Sequence, residues 1–341
     1  MTQTVPLSEF MQRRRQSPVV DVRTPAEFSR GHIPGAANLP LFNDRERAEV
    51  GATYHQTSRE AAILLGLDYV GPKLRPLLEQ MHNLFRQSDL LFYCWRGGMR
   101  SQSLAWLAEL YGYRAYTLAG GYKAFRTYVV TAVSQPLPII ILGGMTGSGK
   151  TEILQALAQI GQQTLDLEGL ARHKGSVFGG LGQPAQPSQQ QFENQLGLAW
   201  RELRPEPAVW LEDESFVIGQ IKLPQPLWQQ MQQAPTLFIE VPLALRVERL
   251  VEEYGRQEPA KLAEAILKLQ KRLGGFHTTQ ALTALDRGDL ERCCTILLNY
   301  YYDKTYRHCL AQKDPKLLYR LSLDSPDPVK NAQKILQAGW P

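Results

Sequence analysis

Cysteine is scarce in this chain. Its four cysteines, Cys94, Cys293, Cys294 and Cys309, are spread unevenly over 341 residues. They are too few for a disulfide framework, which points to a reducing compartment where a reactive thiol survives. Cys293, Cys294, His308 and Cys309 match no standard ligand spacing, so no zinc is expected and no metal is firmly assigned. Long apolar runs are also missing: no window reaches the roughly eighteen uninterrupted apolar residues of a membrane span. Residues 1–16 carry Arg13, Arg14 and Arg15 but no signal-type apolar core, so the expectation is a cytoplasmic protein with no membrane partner. Nor is there a strong charge of one sign. A net charge of +5 permits a nucleic-acid partner without requiring one. What is present, 43% hydrophobic and 21% charged residues in 341, describes a globular chain too long for one ordinary core, hence two domains.

The first feature to stand out is Tyr93-Cys94-Trp95-Arg96-Gly97-Gly98-Met99-Arg100-Ser101, between the apolar run Leu90-Leu91-Phe92 and a helical pattern from about Ser101. A strand that delivers a cysteine into a glycine-rich turn opening a helix aims backbone N–H groups and the positive helix end at the sulfur. That arrangement favours a thiolate. The competing reading is a small buried core residue, which has no need of two glycines and two arginines within six positions.

Around this loop, Val19-Val20-Asp21-Val22-Arg23 reads as a strand, 26–30 as a helical turn stopped by Gly31, Arg114 to Leu118 as another strand, and Gly120-Gly121 as a turn into a helix. Alternating strands and helices predict an α/β domain with a mostly parallel sheet, its cysteine loop at a strand's C-terminal end. The blocks Asp21-Val22-Arg23, Glu27-Phe28, Gly31-His32-Ile33-Pro34-Gly35-Ala36, the cysteine loop and Leu118-Ala119-Gly120-Gly121-Tyr122 together resemble the rhodanese domain. The spacing from Cys94 to Arg100 is C-x5-R, one residue longer than in rhodaneses that carry bare sulfane sulfur. A wider ring of donors suits a tetrahedral phosphate-like anion, with Arg100 able to pair with its oxygens. Cell-cycle phosphatases of rhodanese fold share C-x5-R, so a cysteine phosphatase stays open.

Residues 131–138 have the composition of a linker between a first domain, 1–130, and a second, 139–341. Ile139-Ile140-Ile141-Leu142 reads as a buried parallel strand. Gly144-Met145-Thr146-Gly147-Ser148-Gly149-Lys150-Thr151 follows and matches G-x-x-x-x-G-K-[ST] throughout, with a helical pattern after it. The glycines (Gly144, Gly147, Gly149) and Ser148 let N–H groups face a diphosphate. Lys150 adds a point charge, and Thr151 can coordinate Mg²⁺. A second strand near 208–211 ends in Glu212-Asp213-Glu214, acids of the kind that hold such a metal, or a solvated charge cluster. The stretch 166–180, with Arg172, His173 and Ser176, suits a substrate loop or an ordinary surface loop. From Leu243 to His308 the pattern is helical with basic patches. Lys268, Lys271 and Arg272 are candidate phosphate-backbone contacts, while Tyr301 and Tyr302 are candidates to stack on bases; helix-surface charge and core aromatics compete with that reading.

Taken with Lys271-Arg272-Leu273-Gly274-Gly275 and Tyr301-Tyr302-Asp303-Lys304-Thr305-Tyr306, the chain resembles the tRNA 2-selenouridine synthase family from end to end. The fold implied is an N-terminal rhodanese-like domain plus a C-terminal P-loop NTPase-like parallel-sheet domain with a helical, basic extension. The resemblance implies replacement of sulfur by selenium at C2 of a 2-thiouridine in the tRNA wobble position. It further implies selenophosphate as donor, a geranylated intermediate made from geranyl diphosphate, and Cys94 as the catalytic residue; a selenophosphate-supplying enzyme is an admissible partner. The rivals are a phosphatase or sulfurtransferase fused to a nucleotide kinase and a non-catalytic tRNA-binding protein.

Overall fold

The structure, a computed structural model, describes residues 2–86 and 88–339. The chain forms two compact units. The first comprises Met1–Ala132 together with Ser188–Leu198, and the second Val133–Pro187 and Ala199–Pro341.

In the first unit the strands are β1 (Gln3–Val5), β2 (Val19–Asp21), β3 (Ala37–Asn38), β4 (Asp89–Tyr93) and β5 (Arg114–Leu118). They pair in the order β1-β5-β4-β2-β3, and every pairing is parallel. The helices are α1 (Leu7–Arg13), α2 (Pro25–Arg30), α3 (Asp44–Gln56), α4 (Arg59–Val70), α5 (Leu74–Leu84), α6 (Met99–Leu110) and α7 (Gly121–Ala132). A parallel sheet covered on both faces needs continuous apolar strands, and Leu90, Leu91, Phe92 and Tyr93 of β4 are all fully buried. Each contributes on the order of 1.5–3 kcal/mol by leaving water. Beneath the loops, Arg23 pairs with Asp21 at 2.6 Å, both fully buried, and its guanidinium lies 3.8 Å from the centre of the Tyr122 ring. Tyr93 donates its hydroxyl proton to Asp21 at 2.6 Å. The Asp21-Val22-Arg23 block is therefore a structural pin of the sheet.

The second unit carries β6 (Ile139–Gly144), β7 (Gln163–Leu165), β8 (Val209–Glu212), a small hairpin of β9 (Val217–Ile218) and β10 (Ile221–Lys222), β11 (Thr236–Glu240) and β12 (Leu318–Ser322). Its main sheet runs β12-β11-β6-β8-β7, again wholly parallel. The helices continue with α8 (Lys150–Gln159), α9 (Leu167–Ala171), α10 (Gln189–Glu202), α11 (Gln225–Gln233), α12 (Leu243–Tyr254), α13 (Pro259–Leu273), α14 (Gly275–Asp286), α15 (Leu290–Leu297), α16 (Asp303–Leu310) and α17 (Pro328–Gln337). Helices α12 to α16 build the helical extension, and a π-helical turn, Leu298–Tyr302, joins α15 to α16. The α/β character of both halves thus matches the expectation from sequence.

Two features depart from a simple division near residue 130. Helix α7 continues to Ala132, into the stretch that reads as linker. The eleven residues Ser188–Leu198, which include most of α10, belong to the first unit: Asn194 is fully buried there, donating to the Tyr122 hydroxyl at 2.7 Å and to the His32 carbonyl at 2.9 Å. Gly197 is required at that contact, since a Cβ on it would stand 2.2 Å from the Val129 carbonyl oxygen. Among the described residues no helix is long and apolar enough to cross a membrane.

Candidate functional site

The cysteine loop sits at the C-terminal end of β4, the central strand of the first unit. Gly98 caps α6, and its N–H points at the Cys94 sulfur, 3.3 Å away. The Ser101 hydroxyl donates to the same sulfur at 3.3 Å. Cys94 itself is 3% exposed, while Trp95, Arg96, Gly98 and Met99 face solvent. Gly97 has φ +70°, and a Cβ there would stand 2.4 Å from the Leu118 carbonyl oxygen. From the other side, Tyr122 donates its backbone N–H to the Cys94 carbonyl at 2.8 Å, which ties the Gly120-Gly121 turn to the loop. A helix N-terminus and a hydroxyl directed at one sulfur are the donors a thiolate needs.

Arg100 stands differently from the expectation. Its guanidinium is held by Glu27 at 2.7 Å, and Glu27 also closes the capping box of Thr24 at the start of α2. Burial favours the neutral Glu27, but the Arg100 hydrogen bond and charge outweigh it and hold the carboxyl below its ordinary range. Half-buried Arg47 of α3 adds a second cation within electrostatic reach of Arg100, Glu27 and Cys94, and burial and Arg100 together lower its pKa. Two arginines around one glutamate leave the loop with surplus positive charge. Sequence reading misses Arg47, and it names Glu27 only within the Glu27-Phe28 block without its link to Arg100, because both lie at least forty-seven positions from Cys94.

In the second unit, β6 runs into the glycine loop and α8 leaves it. Lys150 donates to the Gly144 carbonyl at 3.1 Å, folding its ammonium over the loop. Gly147 and Gly149 adopt φ of +81° and +77°, and α12 packs against both: Arg246 donates to the Thr146 carbonyl at 3.2 Å and Arg249 to the Gly147 carbonyl at 3.1 Å. Arg246 is further fixed by a buried two-pronged pair with Asp303, 2.9 Å on each side. The Ser148 hydroxyl is buried without a hydrogen-bond partner among the described residues.

The three acids at the end of β8 separate by strand alternation. Asp213 faces away from the other two, salt-bridged to Lys313 at 2.6 Å and accepting from the Tyr306 hydroxyl at 2.7 Å. Glu212 and Glu214 instead meet Glu168 of α9, with an oxygen of each within 4.8 Å of the others. Burial, then mutual repulsion, pushes Glu168 up to about 9, Glu212 to about 8 and Glu214 to about 7, against partial relief from Lys150. Thr151 lies beside Glu212 and opposes part of that rise, while the Glu212 Oε1 is buried without a partner among the described residues. Glu168 is the site residue missing from the sequence reading, although it lies inside the stretch 166–180.

That stretch does reach the P-loop region. A Cβ on Gly175 would stand 2.8 Å from Glu214 and 2.9 Å from Glu168. His173 is half-buried, its pKa lowered by burial and its Nδ1 unpartnered, whereas Arg172 is exposed in a left-handed conformation and donates to the Ala185 carbonyl at 3.3 Å. Ser176 borders the Tyr254 and Tyr302 hydroxyls. Of the candidate tRNA contacts, Lys268, Lys271 and Arg272 are exposed on α13 with no ion pair among the described residues. Tyr301 and Tyr302, by contrast, are half-buried against the core of the helical extension, 4.8 Å apart edge to face. The exposed aromatics nearby are Tyr300, stacked on His277 at 3.7 Å, and Phe276. Helical geometry allows one tyrosine of three to face outward, and it is Tyr300.

Residues 7–128 match the rhodanese-like domain family, and residues 137–327 match the family described as the tRNA 2-selenouridine synthase AAA domain. Among curated relatives, the tRNA 2-selenouridine synthase of Shewanella loihica is 36% identical, covering 94% of this chain and 94% of its own length. That of Pseudomonas fluorescens is 39% identical over 85% of this chain and 87% of the relative. A third, from Bdellovibrio bacteriovorus, is 33% identical over 89% and 91%.

Proposed function

The chain belongs to the tRNA 2-selenouridine synthase family, and from that premise we propose that it is an enzyme replacing sulfur by selenium at C2 of a wobble 2-thiouridine in tRNA. Selenophosphate is the selenium donor in this reading, and an S-geranylated base made from geranyl diphosphate is the intermediate. The observation that carries it is the pairing, in one chain, of two anion cradles of different kind: one around a sulfur that receives the Gly98 N–H and the Ser101 hydroxyl, the other around Lys150.

The chemistry divides between them. At the P-loop, the thiocarbonyl sulfur of the base attacks C1 of the geranyl group; a C–S bond forms, the C–O bond breaks, and pyrophosphate leaves with the electron pair while N3 loses its proton. Lys150 and the N–H groups at the start of α8 take up the charge that develops on the leaving diphosphate. Thr151, Glu212, Glu214 and Glu168 fit a divalent cation, because Glu212 Oε1 is an orphaned buried oxygen and three carboxylates face one another. When bound there, Mg²⁺ supplies further positive charge to the diphosphate.

At the cysteine loop, the Cys94 thiolate attacks the phosphorus of selenophosphate. An S–P bond forms, the P–Se bond breaks, selenide departs with its electrons, and water later cleaves the thiophosphate ester to phosphate. Selenide then adds at C2 of the base and expels geranylthiolate, which takes up a proton and leaves. Alkylation makes sulfur a competent leaving group, which is why the prenyl step precedes the exchange. Arg47 and Arg100 supply positive charge near Cys94 for the anionic donor.

Mass analysis of nucleosides from thiolated tRNA, incubated with selenophosphate and geranyl diphosphate, tests the reading. It expects S-geranylated and then selenated uridine. Hydrolysis of an aryl phosphate together with ATP turnover, and no modified nucleoside, would replace it with the phosphatase–kinase alternative.

A further inference from the structure

Beside the P-loop, a narrow cavity of about 50 Å³ opens among α12, α13, α14, α15 and the π-helical turn. Its walls are apolar, formed by Phe178, Leu250, Ile266, Leu297 and Cys294, and one of its edges is Thr146 of the P-loop itself. Leu250 joins the two regions directly: a Cβ on Gly147 would stand 3.1 Å from its Cγ. The polar atoms near it gather at Ser176, which borders the hydroxyls of Tyr254 and Tyr302. The Tyr302 hydroxyl is buried with no hydrogen-bond partner of good geometry among the described residues.

Apart from the hydroxyl groups of Thr146, Ser176, Tyr254 and Tyr302, the lining is apolar, which suits a hydrocarbon better than a nucleobase with donors and acceptors along its whole edge. Because one water-sized group needs about 10–15 Å³ of such volume, the cavity of about 50 Å³ holds about three to five, beside the loop that carries Thr146. We propose that this cavity is the chain-length gauge of the prenyl donor, seating the distal isoprene unit of a two-unit chain whose diphosphate lies on the P-loop. The inference rests on the reading of Gly144 to Thr151 as a prenyl diphosphate site and adds which residues measure the tail. The first isoprene unit lies past Thr146, the second fills the cavity, and a third has no room.

Burial of each carbon strengthens binding by a factor of about four at most. With five carbons incompletely enclosed, geranyl diphosphate should bind about 100-fold more tightly than dimethylallyl diphosphate, and farnesyl diphosphate no more tightly than geranyl. Titration calorimetry of the full-length protein with pyrophosphate and the three prenyl diphosphates reads this directly. Cys294→Trp, at a half-buried wall position, should abolish the geranyl gain and leave pyrophosphate affinity unchanged. A measurement on the unaltered protein guards against misfolding of that variant: alkylation of Cys294, located by peptide mass analysis, should slow at least about tenfold with geranyl diphosphate and not with pyrophosphate. Equal affinity for pyrophosphate and all three prenyl diphosphates, or unprotected Cys294, overturns the gauge while leaving the P-loop reading intact. If neither pyrophosphate nor any prenyl diphosphate binds, the P-loop reading falls and the gauge with it.

Discussion

Replacing Glu168 by Gln should stabilise the cation-free protein at high pH and, in the same stroke, remove its response to Mg²⁺. The three carboxylates of Glu168, Glu212 and Glu214 bring oxygens within 4.8 Å of one another. At an effective dielectric of about 20, two ionised groups at that separation repel by about 3.5 kcal/mol. Glu168 faces two such neighbours, and Lys150 offsets part of the sum. Burial and repulsion place their titrations at about 9, 8 and 7 in the folded chain against 4.5 when unfolded. The folded state therefore keeps protons that the unfolded state has already released. Stability from these groups is full below about pH 4.5 and is lost as pH rises through the folded values toward about 9. Without the Glu168 charge that slope flattens, and at about pH 9 the variant should exceed the wild type by about 2–4 kcal/mol, a shift of several degrees in Tm.

Thermal unfolding followed from about pH 5 to pH 9, once with chelator and once with Mg²⁺, provides the assay. Mg²⁺ should raise the wild-type midpoint most where the trio is ionised, and should raise that of Glu168→Gln by much less. A variant less stable than the wild type at high pH in chelator, or an equal Mg²⁺ shift in both proteins, would refute the reasoning.

Three further outcomes are expected. Cys94→Ser should abolish selenated uridine while S-geranylated uridine still accumulates, as read by nucleoside mass analysis; equal loss of both would argue against divided labour. Gly97→Ala forces a side chain into a φ of +70° and to 2.4 Å from the Leu118 carbonyl oxygen. It should cost more than the ~1 kcal/mol of a simple left-handed strain and suppress the selenium step, measurable by unfolding and activity together. Asp303→Asn leaves the buried Arg246 charge without its counterion and should destabilise the second unit by about 3–5 kcal/mol. Adding Arg246→Met should then cost less than the two single changes summed, because both act on one pair.

Much of this architecture is legible because each cradle is written in one continuous stretch. In both units an apolar strand, a glycine turn and a helix start lie consecutively, so period-two and helical patterns with the intervening glycines are enough to place Cys94 and Lys150 at strand ends. Strand alternation would even have separated Asp213 from Glu212 and Glu214, since period two puts the outer pair on one face and the middle residue on the other. What stays hidden is whatever is assembled across long sequence separations. The edge strand β12 pairs with β11 only after some eighty residues of mostly helical chain, and its alternating, half-exposed side chains lack the continuous apolar signature of an inner strand. Glu168, Arg47 and the two arginines of α12 are ordinary polar residues until folding sets them against a loop that a different segment supplies. Asn194 makes the point most sharply. In sequence it is one amide in a glutamine-rich helix well inside the second half of the chain, yet it is buried in the first unit, where it satisfies the Tyr122 hydroxyl and the His32 carbonyl. A boundary drawn from composition near residue 130 would strand both of those groups without their donor. An unpaired buried polar group costs about 1–3 kcal/mol, so a fragment ending at Ala132 lacks part of what holds its own cysteine loop in place.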